Sequence, residues 1–371
     1  MKVKIKKNVL SEQLNKVSKA LSTRNLVPAL AGIKFDLSKN GLTLTASDND
    51  ITIESFISKN DDMEIEDSGT IIIHGKYIID IVKKIEDDII NLEVFDENKI
   101  IISTKNSEYN LNGINKRDYP SITLEQSKNP ILIDSKEFKK MISQTSFATS
   151  IDESRPQITG INLKIIKNEM ECSATDSYRL ARKIIKLEKE TPENYNIIIP
   201  SRNLQELVKI VDSDIIELHI FNNKILFKDG NTIFQSRLIN GSYPNTSNLL
   251  PKDSLLKITV NINDLYNVID RVSILTSDKE KNIVSLETEG NTLIMKSISV
   301  ELGRVEEKMN IKKDNDKEIK ISFSAKFMME ALKTFEGEEA TINFVGEINP
   351  IIIKDNKEEN LIQLVLPIRT Y

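Results

Sequence analysis

Apolar and polar positions alternate over many short stretches of this chain. Gly41–Ala46, Ile51–Ile57, Asn91–Phe95, Lys99–Thr104, Glu217–Phe221, Lys224–Lys228, Thr292–Ser297 and Thr341–Val345 change character at nearly every residue. A period of two sends successive side chains to opposite faces, so these stretches predict half-buried strands. Asp96–Asn98 and Asn222-Asn223 supply the turn residues that join such strands into hairpins. Elsewhere the spacing is three and four. Leu10, Leu14, Val17 and Leu21 share one helical face, as do Ile78, Ile81, Val82 and Ile85, and Leu204, Leu207, Val208 and Val211. Many strands with a few amphipathic helices read as an α+β protein. Glu171–Ile184 (ECSATDSYRLARKI) fits neither pattern, with too many charges for a buried strand and too few turn residues for a loop.

The pattern recurs along the chain. A helix followed by a strand is expected at Leu10–Leu37, Asp134–Ile165 and Asn261–Thr288. A strand running into a second helix is expected at Ile71–Ile85, Ile197–Val211 and Ile319–Phe335. A closing segment follows at Tyr109–Ser121, Phe234–Asn245 and Ile362–Tyr371. Three series in one order, at offsets of 122 to 126 residues, predict three copies of one unit. The short polar segments SKNP and PKDS place the boundaries, giving domains 1–127, 128–253 and 254–371. Asp48 and Asp176 lie 128 residues apart at equivalent positions, which assigns both to a shared structural turn rather than to acid–base chemistry.

Charge adds a second regularity. Lys76 and Lys83, Arg202 and Lys209, and Lys326 and Lys333 are each seven residues apart, two helical turns along one side. Six expected helical segments sum to +6 on a chain of net charge −5, so everything outside them sums to −11. A basic helical surface against an otherwise acidic molecule suits sequence-independent attraction to a polyanion. The helices are expected to lack aromatics on the basic face, which disfavours a single-strand stacking platform. The basic positions are also too sparse for base reading. Two histidines, His74 and His219, and one cysteine, Cys172, offer no metal-ligand spacing or nucleophile–base pair. No phosphate-cradling glycine motif is present, and Ser47–Asp50 lacks the glycine and glutamate of a calcium loop. The lone cysteine suits a reducing cytoplasm. No apolar run approaches membrane-spanning length, and the opening MKVKIKK lacks the apolar core of a signal peptide.

With the repeats, the absent chemistry and three local motifs in view, the chain resembles the bacterial beta sliding clamp family over its whole length. The motifs are Ala174–Ala181 (ATDSYRLA), Gly241–Pro251 (GSYPNTSNLLP) and Leu366-Pro367-Ile368-Arg369, with supporting likeness around Arg24 and from Ser154 to Gly160. The resemblance implies three repeated DNA-clamp domains with antiparallel sheets outside and two helices per domain lining a ring. It implies a head-to-tail homodimer around duplex DNA, opened by an ATP-driven clamp loader, with no catalysis and no cofactor. It further implies a cleft for a short linear motif carried by the replicative DNA polymerase, other polymerases and repair proteins. Matching cleft positions are Thr175, Ser177, Tyr178, Arg179, Leu180, Pro244, Leu249, Leu364, Val365, Leu366, Pro367, Ile368 and Arg369. Matching DNA positions are Arg24, Lys76 and Arg202, which the helix register extends to Lys83, Lys209, Lys326 and Lys333. The implied dimer contact pairs Tyr109 and Leu111 with Ile274 and Leu275. Ser177 stands where the family commonly has glycine, Asn248 where a basic residue is frequent, and Pro350 where some members have a small polar residue. Read without the family, Tyr178 and Leu180 fit core packing. Two rivals remain at this point. One is an enzyme on repeated α+β domains, which needs a clustered polar site. The other is a monomeric peptide scaffold, which leaves the basic pairs unexplained.

Overall fold

The computed structural model describes residues 1–21, 27–246, 249, 254–276 and 282–369. The chain forms two compact units, one of residues 1–135 with 206–238, the other of residues 136–205 with 239–371. In the first unit a five-stranded antiparallel sheet runs in the order Met63–Asp67, Lys2–Lys6, Ile89–Phe95, Lys99–Ser103, Glu108–Asn112. An eight-stranded sheet runs Ile131–Asp134, Ile215–Ile220, Lys224–Asp229, Thr232–Arg237, Ile51–Ser58, Gly41–Ser47, Gly32–Ser38, Gly69–His74. In the second unit a nine-stranded sheet runs Tyr195–Pro200, Gly160–Ile166, Glu169–Thr175, Arg179–Lys186, Leu361–Val365, Ile351–Asp355, Glu339–Phe344, Leu256–Asn261, Lys312–Lys313. Its four-stranded sheet runs Gly303–Asn310, Thr292–Ser299, Ile283–Glu289, Lys320–Ser324.

The described residues hold six α-helices: α1 (Lys7–Val17), α2 (Gly75–Lys84), α3 (Ser135–Thr145), α4 (Ser201–Leu207), α5 (Ile262–Val272) and α6 (Ala325–Leu332). Each repeat therefore contributes two. The apolar stripes face inward: Leu10, Leu14 and Val17 of α1, and Ile78 and Val82 of α2, are buried where these helices pack together. In the second unit α5 and α6 pack likewise, around Leu265, Ile269, Met328 and Leu332.

The structure adds to or changes the sequence reading in five places. The basic opening MKVKIKK is partly a strand, Lys2–Lys6, whose Val3 and Ile5 are buried while the lysines meet Glu64, Glu66, Glu93 and Asp62. The first helix begins at Lys7, straight out of that strand, and tightens into a 3-10 turn at Ser18–Ala20. The helix of the second repeat stops at Leu207, not Val211, because Lys209 and Ile210 donate to the carbonyls three residues back and narrow the last turn. Glu171–Ile184 does lie in strands, Glu169–Thr175 and Arg179–Lys186, folded into a hairpin. Its charges enter the sheet because they are paired: Lys183 is fully buried on Glu358, and Arg179, 9% exposed, lies on Asp176 and Glu330. The helix starts also correct the third copy of the second series. Gly75, Ser201 and Ala325 are equivalent, so the second offset is 124 rather than 122.

Two junctions join one repeat to the next through strands. In the first unit Thr232–Arg237 pairs with Ile51–Ser58, setting Phe234 opposite Ile53. In the second unit Leu361–Val365 pairs with Arg179–Lys186, setting Gln363 opposite Ala181.

Candidate peptide cleft and basic helix positions

The cleft region is organised by a turn built twice. Asp176 Oδ1 accepts from the N–H groups of Tyr178 and Arg179 at 2.9 and 3.1 Å. Thr175 Oγ1 accepts from Ser177 N–H and donates to the Arg179 carbonyl. In the first repeat Asp48 accepts from Asp50 and Ile51 N–H, while Ser47 accepts from Asn49 N–H and donates to the Ile51 carbonyl. Ser177 and Asn49 both take the left-handed conformation, with φ of 79° and 77°. Aspartate suits this position because its short carboxylate reaches the backbone two and three residues ahead.

After the turn the copies diverge. Arg179 Nε donates to Asp176 Oδ2 at 2.9 Å, its second nitrogen meets Glu330, and its third donates to the Phe147 carbonyl at 2.7 Å. Its guanidinium lies over the rings of Phe147 and Phe327, at 5.2 and 4.4 Å. The sequence reading gave Arg179 a direct hold on a peptide. In the structure three of its five N–H donors are bonded within the chain and its guanidinium lies against Phe327.

Phe327 is one wall of a cavity of about 450 Å³ lined by Tyr178, Asn282, Ser324, Lys326, Phe327, Leu366, Pro367 and Ile368. Ser324 caps α6 by accepting from Phe327 N–H, which fixes where that ring leaves the helix. Tyr178 is 62% exposed beside the cavity, so the core-packing reading fails for it. It holds for Leu180, which is buried with Ile352 and Leu364 and backed by Ile362 and Leu366. The mixture is that of a ligand cleft, largely apolar with a few polar groups and one cation.

Of the sequence-assigned cleft residues, the cavity brings together Tyr178, Leu366, Pro367 and Ile368. Thr175, Arg179, Leu180, Leu364 and Val365 are buried and support it from behind. Thr175 N–H donates to the Tyr243 hydroxyl at 3.0 Å, and burial pushes that phenol above its ordinary range. Ser177 forms the turn; Pro244, Leu249 and Arg369 are exposed and do not line the cavity. Asn248 and Thr370-Tyr371 lie outside the described residues. The sequence motifs do not point to Asn282, Ser324 or Phe327, and Lys326, expected at DNA, lines the cavity. The recurring Lys-aromatic or Arg-polar pair at each second helix start, Lys76-Tyr77, Arg202-Asn203 and Lys326-Phe327, is the signal that could have found Phe327.

Lys76, Lys83, Arg202, Lys209, Lys326 and Lys333 are all exposed. Lys209 pairs with Glu206 at 2.7 Å, and Lys333 lies 5.1 Å over the Tyr266 ring. Arg24 lies outside the described residues. Tyr109 and Leu111 are half-buried on Glu108–Asn112, the edge strand of its sheet. Ile274 is 73% exposed and Leu275 half-buried in the 3-10 turn Ser273–Leu275.

Cys172, His219 and Glu358 lie largely within the fold. Burial pushes the Cys172 thiol well above its usual range. Burial lowers the His219 pKa, and its Nδ1 accepts from Ser127 N–H at 2.9 Å. Burial works against ionisation of Glu358, but Lys183, Lys140 and Gln144 outweigh it and hold the carboxyl below its ordinary range.

Comparison with known proteins agrees over the full chain. Residues 1–123, 132–245 and 247–369 match the N-terminal, central and C-terminal domains of the DNA polymerase III beta subunit. The Bacillus subtilis beta sliding clamp is 39% identical, with all of both chains covered. That of Staphylococcus aureus is 37% identical, again over all of both chains. The crystal structure of the DNA polymerase sliding clamp from Bacillus subtilis superposes with a TM-score of 0.96 at 38% identity and full coverage of both chains. This chain belongs to the bacterial beta sliding clamp family, the non-catalytic, ring-forming processivity factors of DNA replication.

Proposed function

We propose that two copies of this chain close head to tail around duplex DNA, and that the cavity beside Tyr178 tethers partners by a short, largely apolar linear motif. The partners are the replicative polymerase, the ATP-driven clamp loader, and other polymerases and repair proteins. The observation that carries the tethering is the cavity itself: Tyr178, Phe327, Leu366, Pro367 and Ile368 offer apolar surface, while Asn282, Ser324 and Lys326 give a peptide its orientation. The protein works in the cytoplasm, where its DNA is. Among the described residues no helix is long and apolar enough to cross a membrane.

The basic positions supply the hold on DNA. Lys76, Arg202 and Lys326 stand at the same place in the three second helices, followed by Lys83, Lys209 and Lys333. Sparse, exposed cations attract phosphates without reading bases, which permits sliding. The three domains are 1–127, 128–253 and 254–371.

Closure follows from the repeat. Each internal junction pairs the strand after the aspartate turn with the last strand of a neighbouring repeat. Two such strands are left at sheet edges: Gly303–Asn310 of the third repeat and Glu108–Asn112 of the first. Carrying the internal register over to these edges sets Tyr109 of one copy opposite Val305 of the next, and Asn110 opposite Arg304. Repeating one heterologous contact twice closes a two-fold ring.

The test loads the protein on circular and linearised duplex DNA and washes with high salt. Retention on the closed circle with loss from linear ends is expected; equal retention on both would sink the encircling reading. Solution mass gives a second check, since a strict monomer at micromolar concentration rules out the closed pair.

A further inference from the structure

We infer that in the closed pair the turn Val300–Leu302 of one copy seats against Tyr77 of the other. This rests on the head-to-tail reading above and adds to it an apolar lock at each joint.

The two internal junctions share more than strand register. Arg237 N–H donates to the Asp50 carbonyl, and Leu366 N–H to the Tyr178 carbonyl, each at 2.9 Å. Two residues further on, Ile239 N–H donates to Ile198 and Ile368 N–H to Ser322, both on the strand that leads into the second helix of that repeat. The first repeat has the same bond, from Ile114 N–H to the Ile72 carbonyl. Ile114, Ile239 and Ile368 are therefore equivalent, and so are Asn112, Arg237 and Leu366. The residue that meets Asn112 across the joint is the third-repeat equivalent of Asp50 and Tyr178, which is Leu302. Tyr77 stands where Phe327 stands in the third repeat, one residue after the recurring helix-start cation.

The second junction brings a turn residue and a helix-start residue to one cavity, Tyr178 and Phe327. The joint between copies would have Leu302 and Tyr77. Leu302 is 69% exposed, Val300 98%, Ile298 75% and Tyr77 56%. The Tyr77 and His74 rings stand nearly perpendicular, with centroids 6.1 Å apart. Large apolar residues concentrated at a turn and exposed to this degree mark a contact surface.

The occupant is a second copy rather than a peptide, because the turn is longer. Four residues separate paired Thr175 and Leu180, whereas five separate paired Ile298 and Arg304. The additional residue carries Val300 and Leu302 further out, so they fill the groove that Tyr178 leaves open.

The test is the dimer dissociation constant of the full chain by sedimentation or mass photometry, with Leu302→Ala, Tyr77→Ala and the two combined. Each single change is expected to weaken the dimer about ten- to hundredfold. The double alanine variant should lose less than the product of its singles. Glu301→Gln, in the same turn, should leave the constant unchanged. These side chains are exposed, so unchanged circular dichroism will separate a lost contact from a lost fold. A wild-type dimer that is indifferent to all three changes overturns the inference alone. A wild-type monomer overturns the head-to-tail reading and the inference with it. If Tyr77→Ala instead removes binding of a labelled apolar peptide and spares the dimer, the groove is a peptide site and the inference is wrong.

Discussion

In the turn at Ser47–Ile51 an aspartate gathers two backbone N–H groups, and the chain goes on into an apolar strand. In the turn at Thr175–Arg179 the same gathering occurs, but Asp176 also holds a guanidinium that reaches Glu330 and stacks on two phenylalanines. Backbone geometry alone therefore does not make a cleft. What differs is the residue after the turn, Ile51 or Arg179, and the residue at its tip, Asp50 or Tyr178. The second junction has an open cavity beside it, with Tyr178 in its lining.

The largest way to break the contrast is Arg179→Ala. Removing it strands Asp176 and Glu330 beside half-exposed rings, and breaking such a buried pair costs about 3–5 kcal/mol. Equilibrium urea unfolding should show that loss, together with weakened peptide binding as Phe327 is released. Ile51→Ala in the first copy should cost a comparable 2–5 kcal/mol or so through its cavity, with peptide binding unchanged. Equal peptide loss in both variants would show that the effect is general instability.

Next is Tyr178→Ala, on an exposed side chain. It should leave the unfolding midpoint almost unmoved and weaken an apolar motif peptide about tenfold or more in a fluorescence titration. Asp50→Ala should do nothing to that titration.

Acid sharpens the comparison at the junctions. Lys183–Glu358 lies at the second, whereas the equivalent Ser55 at the first bonds to Gln13 and faces Thr232. The folded pKa of Glu358 lies below its unfolded value, so its contribution is complete above the ordinary carboxylate range, about 4.3. It is lost as pH falls through the folded value. Hydrogen-exchange protection, corrected for intrinsic rates, should fall on acidification at the Lys183–Leu361 pairing more than at Ser55–Thr232. The smallest effect is expected from Ser177→Gly, which relieves a non-glycine residue at φ 79° and should stabilise by roughly 0.5–1 kcal/mol on thermal unfolding.

Much of the architecture was legible because alternation and helical periodicity survive as patterns when identities drift. The hairpins around Gly41–Ser58 and Glu217–Lys228 and the second helix starts were readable in this way. The opening strand is not assigned from the sequence, although Val3 and Ile5 already alternate with its lysines. Arg179 and Lys183 misled because a sequence shows a charge without its partner, and those partners lie 151 and 175 residues away. The cavity was half legible. Tyr178 and Leu366–Ile368 stand in recognisable motifs, whereas Asn282, Ser324 and Phe327 come from separate segments that only folding collects.

The buried Lys183 also bears on how the protein is made. Its strand leaves the ribosome long before Glu358 and the pairing strand Leu361–Val365 exist, a gap of 175 residues. At ordinary rates of synthesis that strand waits on the order of ten to thirty seconds as an open edge. A bare apolar edge would recruit any passing strand during that wait, while a charge on the edge makes every pairing without a carboxylate costly. Pairing of that edge before synthesis reaches Glu358 is therefore disfavoured, and Glu358 supplies the carboxylate that Lys183 meets in the fold.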